Sequence, residues 1–500
     1  MSSFYGLNIA KTGLFMSQRA LNVTGHNIAN VNTEGYTRQR YISASIDPAS
    51  SREFLQPYYK GRVGGGVEPV VLDQIRDSFI DRELRREYAG YAHYSTRADT
   101  LMYIESIFNE TSDSSISKTL ANFFDSLQDL SPDAASKELR TNVIQNGIKL
   151  TETFNHYHKQ LLELQKVQNE SMKVTTDNIN DILTGIADFN KQIFVFEIAG
   201  EKANDLRDKR NLLLDELSGL IDIEYTYDDF DRLSITCGGQ ELMYHTDYTK
   251  LKAVPSTTPS PVTGQLGFYD ICLDNGKNTK LNYTNGEMEA YRVMRDGDSP
   301  DEIGIPRMID NLNILARTIA EQFNKIHETG YTYEYGGNAS VTGVKLFEVP
   351  AGGYADITAE NFKLDDIVKN DPYKIACSSV KIELTIQPPK HGNNEVLLEM
   401  IALASSESVP LVGNFEGFLK TTILEVSVES GHIQKLASSQ EAVSNNLLTR
   451  RESISGVSID EEVVTMLQYQ HMYSASSRMI NAIDEALDIL INKTGLVGRS

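Results

Sequence analysis

Residues 20–40 read ALNVTGHNIANVNTEGYTRQR, and this stretch, with the helix that leads into it, decides the fold of the chain. From residue 7 to residue 28, a large apolar side chain recurs every seven residues, and each is followed three residues later by a smaller side chain. Such a heptad predicts a helix that lies along a partner helix, and the asparagines and Gly35, which tolerate left-handed backbone, then end it. The large positions are Leu7, Leu14, Leu21 and Ile28, and the smaller ones are Ala10, Ser17, Thr24 and Val31.

The last forty residues carry a second pattern of the same kind. Apolar side chains again step by three and four, which predicts a C-terminal helix with one apolar face. Each terminal helix then has an apolar seam that a monomer could bury only against the other terminal helix, which predicts a protein that assembles with other copies or partners. The alternative is two unrelated amphipathic helices of a core. The C-terminal positions are Val463, Met466, Gln470, Tyr473, Ser477, Ile480, Ile483, Leu487 and Leu490.

The two ends also carry opposite charge. Residues 1–40 hold four basic side chains and one acidic one, a net charge of +3, whereas residues 456–500 hold three basic and six acidic ones, a net charge of −3. Exposed ion pairs contribute only about 0–1 kcal/mol each. We therefore expect the apolar seam to decide association and the charges to bias the choice of partner.

Composition excludes several classes of protein. The 500 residues carry a formal net charge of −22, and a nucleic-acid partner would need a basic face, so none is expected. Without a run of about eighteen apolar residues, or a basic region followed by an apolar stretch at the start, the sequence predicts neither membrane insertion nor a Sec signal peptide. Cys237, Cys272 and Cys377 are odd in number and lack CxxC spacing, which predicts buried free thiols.

Hydrophobic periodicity divides the chain between long helices and a β-rich middle. Helices are expected where apolar residues step by three and four, and strands where they alternate. The predicted helices are 73–108, 114–130, 131–217, 305–327 and 415–454, and the predicted strand regions are 222–236, 268–294 and 380–386.

These patterns predict an elongated, multi-domain α+β chain. The terminal helices form a coiled coil, a helical bundle forms the middle domain and a β-rich insert projects outward, because the helices before and after each insert have to pack together. A doubly wound sheet is disfavoured, since no parallel βαβ series appears. The expected domains are 1–40 with 456–500, 41–225 with 304–330 and 396–455, the β-rich 226–303, and a smaller non-helical insert at 331–395.

Candidate catalytic and metal-binding groups fail on geometry. His156 and His158 stand two apart on a predicted helix, about 200° round its axis, so they cannot hold one metal ion from one face and are expected to be an exposed pair. The charged run 205–210 is expected to form ion pairs three and four residues apart, or a packing contact within the middle domain. We therefore predict no enzyme, no catalytic residue, no cofactor and no metal site.

Three motifs resemble one known family. The run from Asn27 to Tyr36, the tail from Ser455 to Glu462, and the internal run from Ala203 to Arg210 (ANDLRDKR) stand in the order found in the bacterial flagellar rod, hook and hook-associated proteins. The similarity covers both termini and much of 70–225 and 300–380, and is weak at 226–300. The internal run and the segment 36–39 narrow the resemblance to the hook-associated branch at the hook–filament junction.

The resemblance implies a structural axial component of the flagellum, secreted unfolded through the flagellar export apparatus. It also implies self-association in the axial lattice, the hook protein on one side, hook-associated protein 3 on the other, and an export chaperone that holds the C-terminal helix. The residues expected at the assembly interface are Leu7, Leu14, Leu21, Asn27, Ile28, Asn30, Val463, Met466, Tyr473, Ile480, Ile483, Leu487 and Leu490.

Three other functions stay open at this point. A hook or rod protein would share the end motifs around a mostly β middle. A wall-degrading hydrolase on an axial scaffold would need a carboxylate or metal constellation within 226–400, where none is evident. A cytoplasmic coiled-coil adaptor would assemble inside the cell without flagellar export.

Overall fold

The computed structural model describes residues 2–46, 64–108, 115–198, 200, 202–260, 262–300, 302–335, 339–381, 393–407 and 413–493. The chain divides into two compact units, each assembled from separate stretches of sequence. The first unit consists of Met1–Ala89, Asn178–Lys250 and Gln440–Ser500, and the second of Gly90–Asp177 and Leu251–Ser439. The four-domain division expected from the sequence stays a prediction.

Helices dominate the described residues, and the sheets are short and antiparallel. The helices are α1 (Ser2–Ala29), α2 (Ser78–Ile107), α3 (Ile116–Leu130), α4 (Lys137–Ile198), α5 (Asn204–Leu220), α6 (Gly286–Asp296), α7 (Ile305–His327), α8 (Asp366–Asn370), α9 (Glu395–Ala402), α10 (Phe415–Ser455) and α11 (Ile459–Asp488). The strands are β1 (Gln39–Ser45), β2 (Val67–Gln74), β3 (Glu224–Tyr227), β4 (Leu233–Cys237), β5 (Gln240–Tyr244), β6 (Asp247–Tyr248), β7 (Leu251–Pro255), β8 (Tyr269–Leu273) and β9 (Thr279–Lys280). The predicted α+β class is confirmed.

Three sequence predictions of secondary structure were wrong in part. The helix expected from residue 73 begins only at Ser78, because Asp73 and Gln74 pair with β1 as the end of β2. The helix expected from 131 to 217 is broken between α4 and α5, where Gly200 adopts a left-handed φ of 88° that a helix cannot contain. Within the expected strand region 268–294, residues 286–296 form α6 instead, because Asn285 caps its first turn and Met288, Val293 and Met294 bury one face. The strand expected at 380–386 lies mostly outside the described residues.

The first unit pairs the terminal helices with two small sheets. Helix α1 packs against α11 and against the β1–β2 hairpin, which bulges between Ile42 and Ser43. Strands β3 to β6 form a four-stranded antiparallel sheet in sequence order. In β4, Leu233, Ile235 and Cys237 are buried and alternate with half-buried residues, so the period of two in the sequence becomes one inward face.

The second unit has a core of helices closed by irregular segments. Helices α3, α7 and α9 pack together around a phenylalanine cluster, in which Phe123 and Phe323 lie 5.4 Å apart between ring centroids. The fully buried Arg140 donates to the carbonyl oxygens of Ala134 and Ile375, at 2.7 and 2.8 Å, and to the thiol of Cys377. Irregular chain is thus fixed to the bundle by hydrogen bonds as well as by apolar packing.

The predicted cysteine state is confirmed: Cys237, Cys272 and Cys377 are all buried free thiols. Of the predicted exposed histidine pair, His156 is exposed but His158 is buried, and burial lowers its pKa. Residues two apart lie on different faces of a helix, so His156 faces solvent while His158 faces the core. No helix within the described residues combines the length and hydropathy that crossing a bilayer requires.

Candidate functional site

Helices α1 and α11 form an antiparallel pair whose register can be read from three close approaches. A Cβ atom placed on Gly6 would lie 3.4 Å from Ile483 Cδ1, and one on Gly13 would lie 3.1 Å from Ser476 Oγ. The third approach is a hydrogen bond of 3.1 Å from Asn27 Nδ2 to Glu462 Oε2. Residue numbers rise on α1 as they fall on α11, in steps of seven or fourteen, so the pairing keeps a heptad register along its length.

Small side chains of α1 occupy the centre of this pairing. Glycine, alanine and serine at these positions let the two helix backbones approach closely, which larger knobs would prevent. Most of them are buried in the monomer. We call this series the small-residue seam: Gly6, Ala10, Gly13, Ser17, Ala20, Thr24 and Asn27.

The leucines predicted to form the seam lie one residue further along α1. Leu7, Leu14, Leu21 and Ile28, here called the leucine stripe, are only half-buried and stand about 100° round the helix from the small-residue seam. The two heptads share Ala10, Ser17 and Thr24, so periodicity alone could not choose between them.

The remaining predicted interface residues fall into three groups. Asn27 is buried, whereas Asn30, Met466, Ile480, Ile483 and Leu487 are half-buried. Val463, Tyr473 and Leu490 are exposed. Their predicted role in assembly stays a prediction.

A cluster of hydrogen bonds joins the C-terminal end of α1 to the N-terminal end of α11. We call it the polar anchor, and it consists of Asn27, Tyr36, Arg38, Gln39 and Glu462. Asn27 Nδ2 donates to Gln39 O at 3.0 Å as well as to Glu462, and Asn27 Oδ1 accepts from Tyr36 Oη at 2.7 Å and from the Gln39 amide at 3.1 Å. These four bonds use both donors and both acceptor positions of the amide. Burial, then the carboxylates of Asp205, Asp208 and Glu462, raise the pKa of Tyr36, so its phenol stays protonated and donates.

Arg38 and Glu462 complete the polar anchor. Arg38 Nε lies 2.7 Å from Glu462 Oε1 and its Nη1 lies 2.8 Å from Glu461 Oε2, while the backbone amide of Arg38 donates to Ser455 O at 2.8 Å. Glu462 is only 2% exposed. The segment after α1 is therefore tied both to the end of α10 and to the first turn of α11.

The internal motif on α5 meets the same cluster. Gln39 Nε2 donates to Asp205 Oδ1 at 2.8 Å, and the Thr37 amide donates to Asp208 Oδ2 at 3.0 Å. Gln74 Nε2, at the end of β2, donates to Asp208 Oδ1 at 2.8 Å. The three motifs that carry the family resemblance thus converge on one place within the first unit.

Of the two alternatives for the run 205–210, the prediction of ion pairs within α5 was wrong, because these side chains bind residues of other elements; the packing contact within the middle domain stays a prediction. Arg207 makes two bonds of 2.8 Å to the Glu197 carboxylate and a third to Asp231, and Arg210 donates to Asn190 Oδ1 at 2.9 Å.

A second ionic cluster lies beside the polar anchor. Asp215 on α5 lies 2.6 Å from Arg85 Nε on α2 and 2.6 Å from Arg451 Nη1 on α10. Burial alone would raise the pKa of Asp215, but the charges of these two arginines lower it below its usual value. Sequence analysis did not find this cluster, since its three members lie far apart in the chain and no spacing links them.

Asp208 behaves in the opposite way and gives a testable pH dependence. Burial raises its pKa to about 6; the bonds from Thr37 and the guanidinium of Arg76, 3.8 Å away, offset this only in part. The folded state therefore binds this proton more tightly than the unfolded state, so its contribution is complete below about pH 4 and is lost as the pH rises through about 6. Two pKa units correspond to about 3 kcal/mol.

In Asp208→Asn, this dependence is expected to disappear. Urea unfolding of the intact chain, followed by circular dichroism because the chain has no tryptophan, should lose its slope between pH 4 and 6. An unchanged slope would mean that Asp208 does not titrate in this range.

The ionisable side chains of the two clusters are engaged with one another and with the backbone. Within the residues that the structure describes, no group of three or more His, Cys, Asp or Glu side chains could hold a metal ion. The carboxylates of the two clusters are each occupied by arginine, amide or backbone donors.

Comparisons with known proteins agree with this geometry. Three family models match the chain: "Flagellar hook-associated protein FlgK helical domain" at residues 101–347, "Flagellar basal body rod FlgEFG protein C-terminal" at 451–493, and "Flagella basal body rod protein" at 7–37. The two terminal matches contain the residues of the polar anchor that lie on α1 and α11.

Whole-chain relatives carry one name. The chain is 29% identical over 547 residues to flagellar hook-associated protein 1 of Bacillus subtilis, covering 100% of both chains. It is 24% identical over 555 residues to the Escherichia coli protein of that name, covering 97% of this chain and 99% of the other. The solved structure of the flagellar hook junction protein FlgK from Burkholderia pseudomallei shares the fold, with a TM-score of 0.59 at 14% identity over 75% of this chain and 100% of the other. Over its whole length the chain is therefore similar to the proteins named flagellar hook-associated protein 1.

Proposed function

We propose that the chain is a structural component of the bacterial flagellum that joins the hook to the filament as an axial junction protein. Its whole-chain relatives are named for association with the hook, and a structural relative is named for the hook junction. The match of 101–347 to the helical domain of hook-associated proteins favours this role over that of a hook or rod protein.

The observation that carries the proposal is the apolar surface left on the terminal helix pair. Helix α11 buries one side chain fully, that of Glu462, and exposes large apolar residues along most of its length. Single exposed apolar residues are normal, but a row of them on one helix marks an interaction surface. The exposed set includes Ile459, Val463, Val464, Leu467, Met472, Tyr473, Met479, Ile489, Leu490 and Ile491.

Self-association through this pair would place many copies in one axial lattice. The partners proposed beyond the chain itself are the hook protein on one side and hook-associated protein 3 on the other. An export chaperone would cover the exposed face of α11 before secretion through the flagellar apparatus. The proposed location is the hook–filament junction, and the proposed role is structural rather than catalytic.

The test substitutes Leu487, a half-buried residue of the predicted interface. Leu487→Asp puts a carboxylate into an apolar contact, and a buried unpaired charge costs several kcal/mol. We expect cells with this variant to build hooks but to release filament subunits into the medium, seen by electron microscopy and immunoblotting of the supernatant. Thermal unfolding of the second unit should stay nearly unchanged.

Asp488→Asn is the matched control, since Asp488 is exposed and one residue away. It should support normal filaments and swimming. Normal filaments in Leu487→Asp would contradict the role assigned to this helix pair, and normal filaments in a strain lacking the chain altogether would contradict the junction function.

A further inference from the structure

Helix α11 carries a second heptad beside the one that faces α1. The residues that face α1 follow from the observed register and are Glu462, Met466, Tyr469, Tyr473, Ser476, Ile480, Ile483 and Leu487. The α1-facing heptad continues to Leu490, and from Tyr473 onward each of its positions is directly preceded by another apolar residue. These form the second seam: Met472, Ala475, Met479, Ala482, Ala486 and Ile489.

The spacing of the second seam is that of a coiled-coil face. Its members step by three and four without interruption over more than two heptads, and every one is exposed. A solvent-facing helix surface has no reason to keep apolar residues in this order, whereas a helix packed against a further helix does. The second seam therefore has the pattern of a pairing surface that the described residues leave uncovered.

The second seam and the leucine stripe lie on opposite sides of the helix pair. On α1, each residue of the leucine stripe directly follows a residue of the small-residue seam. On α11, each residue of the second seam directly precedes a residue of the heptad that faces α1. One residue turns a helix by about 100°. In an antiparallel pair, the residue after a contact position on one helix and the residue before a contact position on the other point to opposite sides of the pair. The leucine stripe therefore lies on one side of the α1–α11 pair and the second seam on the other.

We propose that the second seam of α11 receives the leucine stripe of α1 from a second copy of this chain. The inference rests on the proposed function, because it names the contact by which copies would associate in the axial lattice. Leucine and isoleucine knobs on one side match the alanines on the other, which leave holes between the methionines. Such a contact joins two different surfaces, so it repeats from copy to copy and builds a ring or a helix.

Charge selects α1 of the second copy over its α11. Helix α1 carries Lys11 and Arg19 and no acidic residue, whereas the part of α11 from Met472 onward carries Asp484, Glu485 and Asp488 against Arg478. Two copies of α11 would oppose like charges, as would two copies of α1, while the mixed contact brings opposite charges together.

The first test replaces an exposed methionine on each of two helices. Met479 and Met102 are both 44% exposed, but Met102 lies on α2, outside the proposed contact. We expect Met479→Glu to reduce the number of hooks that bear filaments about tenfold or more, because the charge would be buried only in the assembled contact. Met102→Glu should have no effect. Amide hydrogen exchange of α11 in the secreted monomer should be unchanged in both variants.

The second test reads the contact directly by cross-linking. Two forms of the chain of different size are co-expressed, one with Leu14→Cys and the other with Ala475→Cys, Ala482→Cys or Ala486→Cys in turn, so that any mixed disulfide joins two copies. The native cysteines are buried and should not compete. We expect a mixed dimer for at least one pairing in isolated hook–junction preparations, and none when Leu14→Cys is paired with Tyr103→Cys.

The outcomes separate this contact from the proposed function. Normal filaments in Met479→Glu, or no mixed dimer with any of the three alanine positions in junctions that bear filaments, would overturn the contact. The junction function would survive either result provided that a strain without the chain still lacks filaments.

Discussion

Glu462→Ala is expected to loosen the first turns of α11 by about 3 kcal/mol, since Asn27 and Arg38 both lose their buried acceptor and Arg38 keeps only the exposed Glu461. The Glu462 carboxylate accepts from Arg38 Nε at 2.7 Å and from Asn27 Nδ2 at 3.1 Å. Asn27, which is 1% exposed, would be left with an unsatisfied buried donor. Amide exchange of residues 459–470 should then quicken by roughly a hundredfold, because each 1.4 kcal/mol is a factor of ten.

Glu461→Ala is the matched control. Glu461 binds the same guanidinium at 2.8 Å, but its side chain is 65% exposed. Solvent screens such a pair, and its loss should cost about 0–1 kcal/mol. Equal effects of the two variants would show that the burial of Glu462 does not hold the helices together, and we would then expect Glu462→Ala cells to swim normally.

Asp215→Asn is expected to destabilise the first unit by about 3–5 kcal/mol at pH 7. The variant would leave Arg85, whose side chain is 3% exposed, without a counter-charge, and would weaken the hold on Arg451. Urea unfolding followed by circular dichroism would measure the loss.

The pH dependence of this loss follows from the lowered pKa. A carboxyl group whose folded pKa is below its unfolded value of about 3.9 stabilises the fold above that value, and this contribution is lost as the pH falls through the folded pKa. The difference between Asp215→Asn and the native chain should therefore be constant from pH 5 to 7 and shrink below pH 4. This direction is opposite to that expected for Asp208, although the two residues lie on the same helix.

Glu216→Gln serves as the control for Asp215→Asn. Glu216 is adjacent in sequence and exposed, so its substitution should change stability little at any pH. A difference between Asp215→Asn and the native chain that persisted undiminished at pH 3 would contradict an ionic origin of the effect.

Local pattern was sufficient for the elements that have a strong period. The helix predicted at 305–327 has those bounds in the structure, and that predicted at 415–454 is α10, because a continuous apolar face defines an amphipathic helix with little help from its surroundings. The two end motifs and the internal motif also identified the family before their contacts were known.

The sequence by itself determined that both ends are helices with apolar seams of seven-residue period, that three motifs resemble those of flagellar axial proteins, and that long helices alternate with β-rich segments. Only the tertiary structure decided that Gly6 and Gly13, not Leu7 and Leu14, face the partner helix, and that Glu462 is buried. Periodicity gives the spacing of a seam but not its rotation, because the predicted and the observed seam of α1 have the same period and share Ala10, Ser17 and Thr24. A charged side chain is buried only where distant segments supply its hydrogen-bond partners. Asn27 and Arg38, more than 400 residues from Glu462 in the sequence, contact it only in the folded chain.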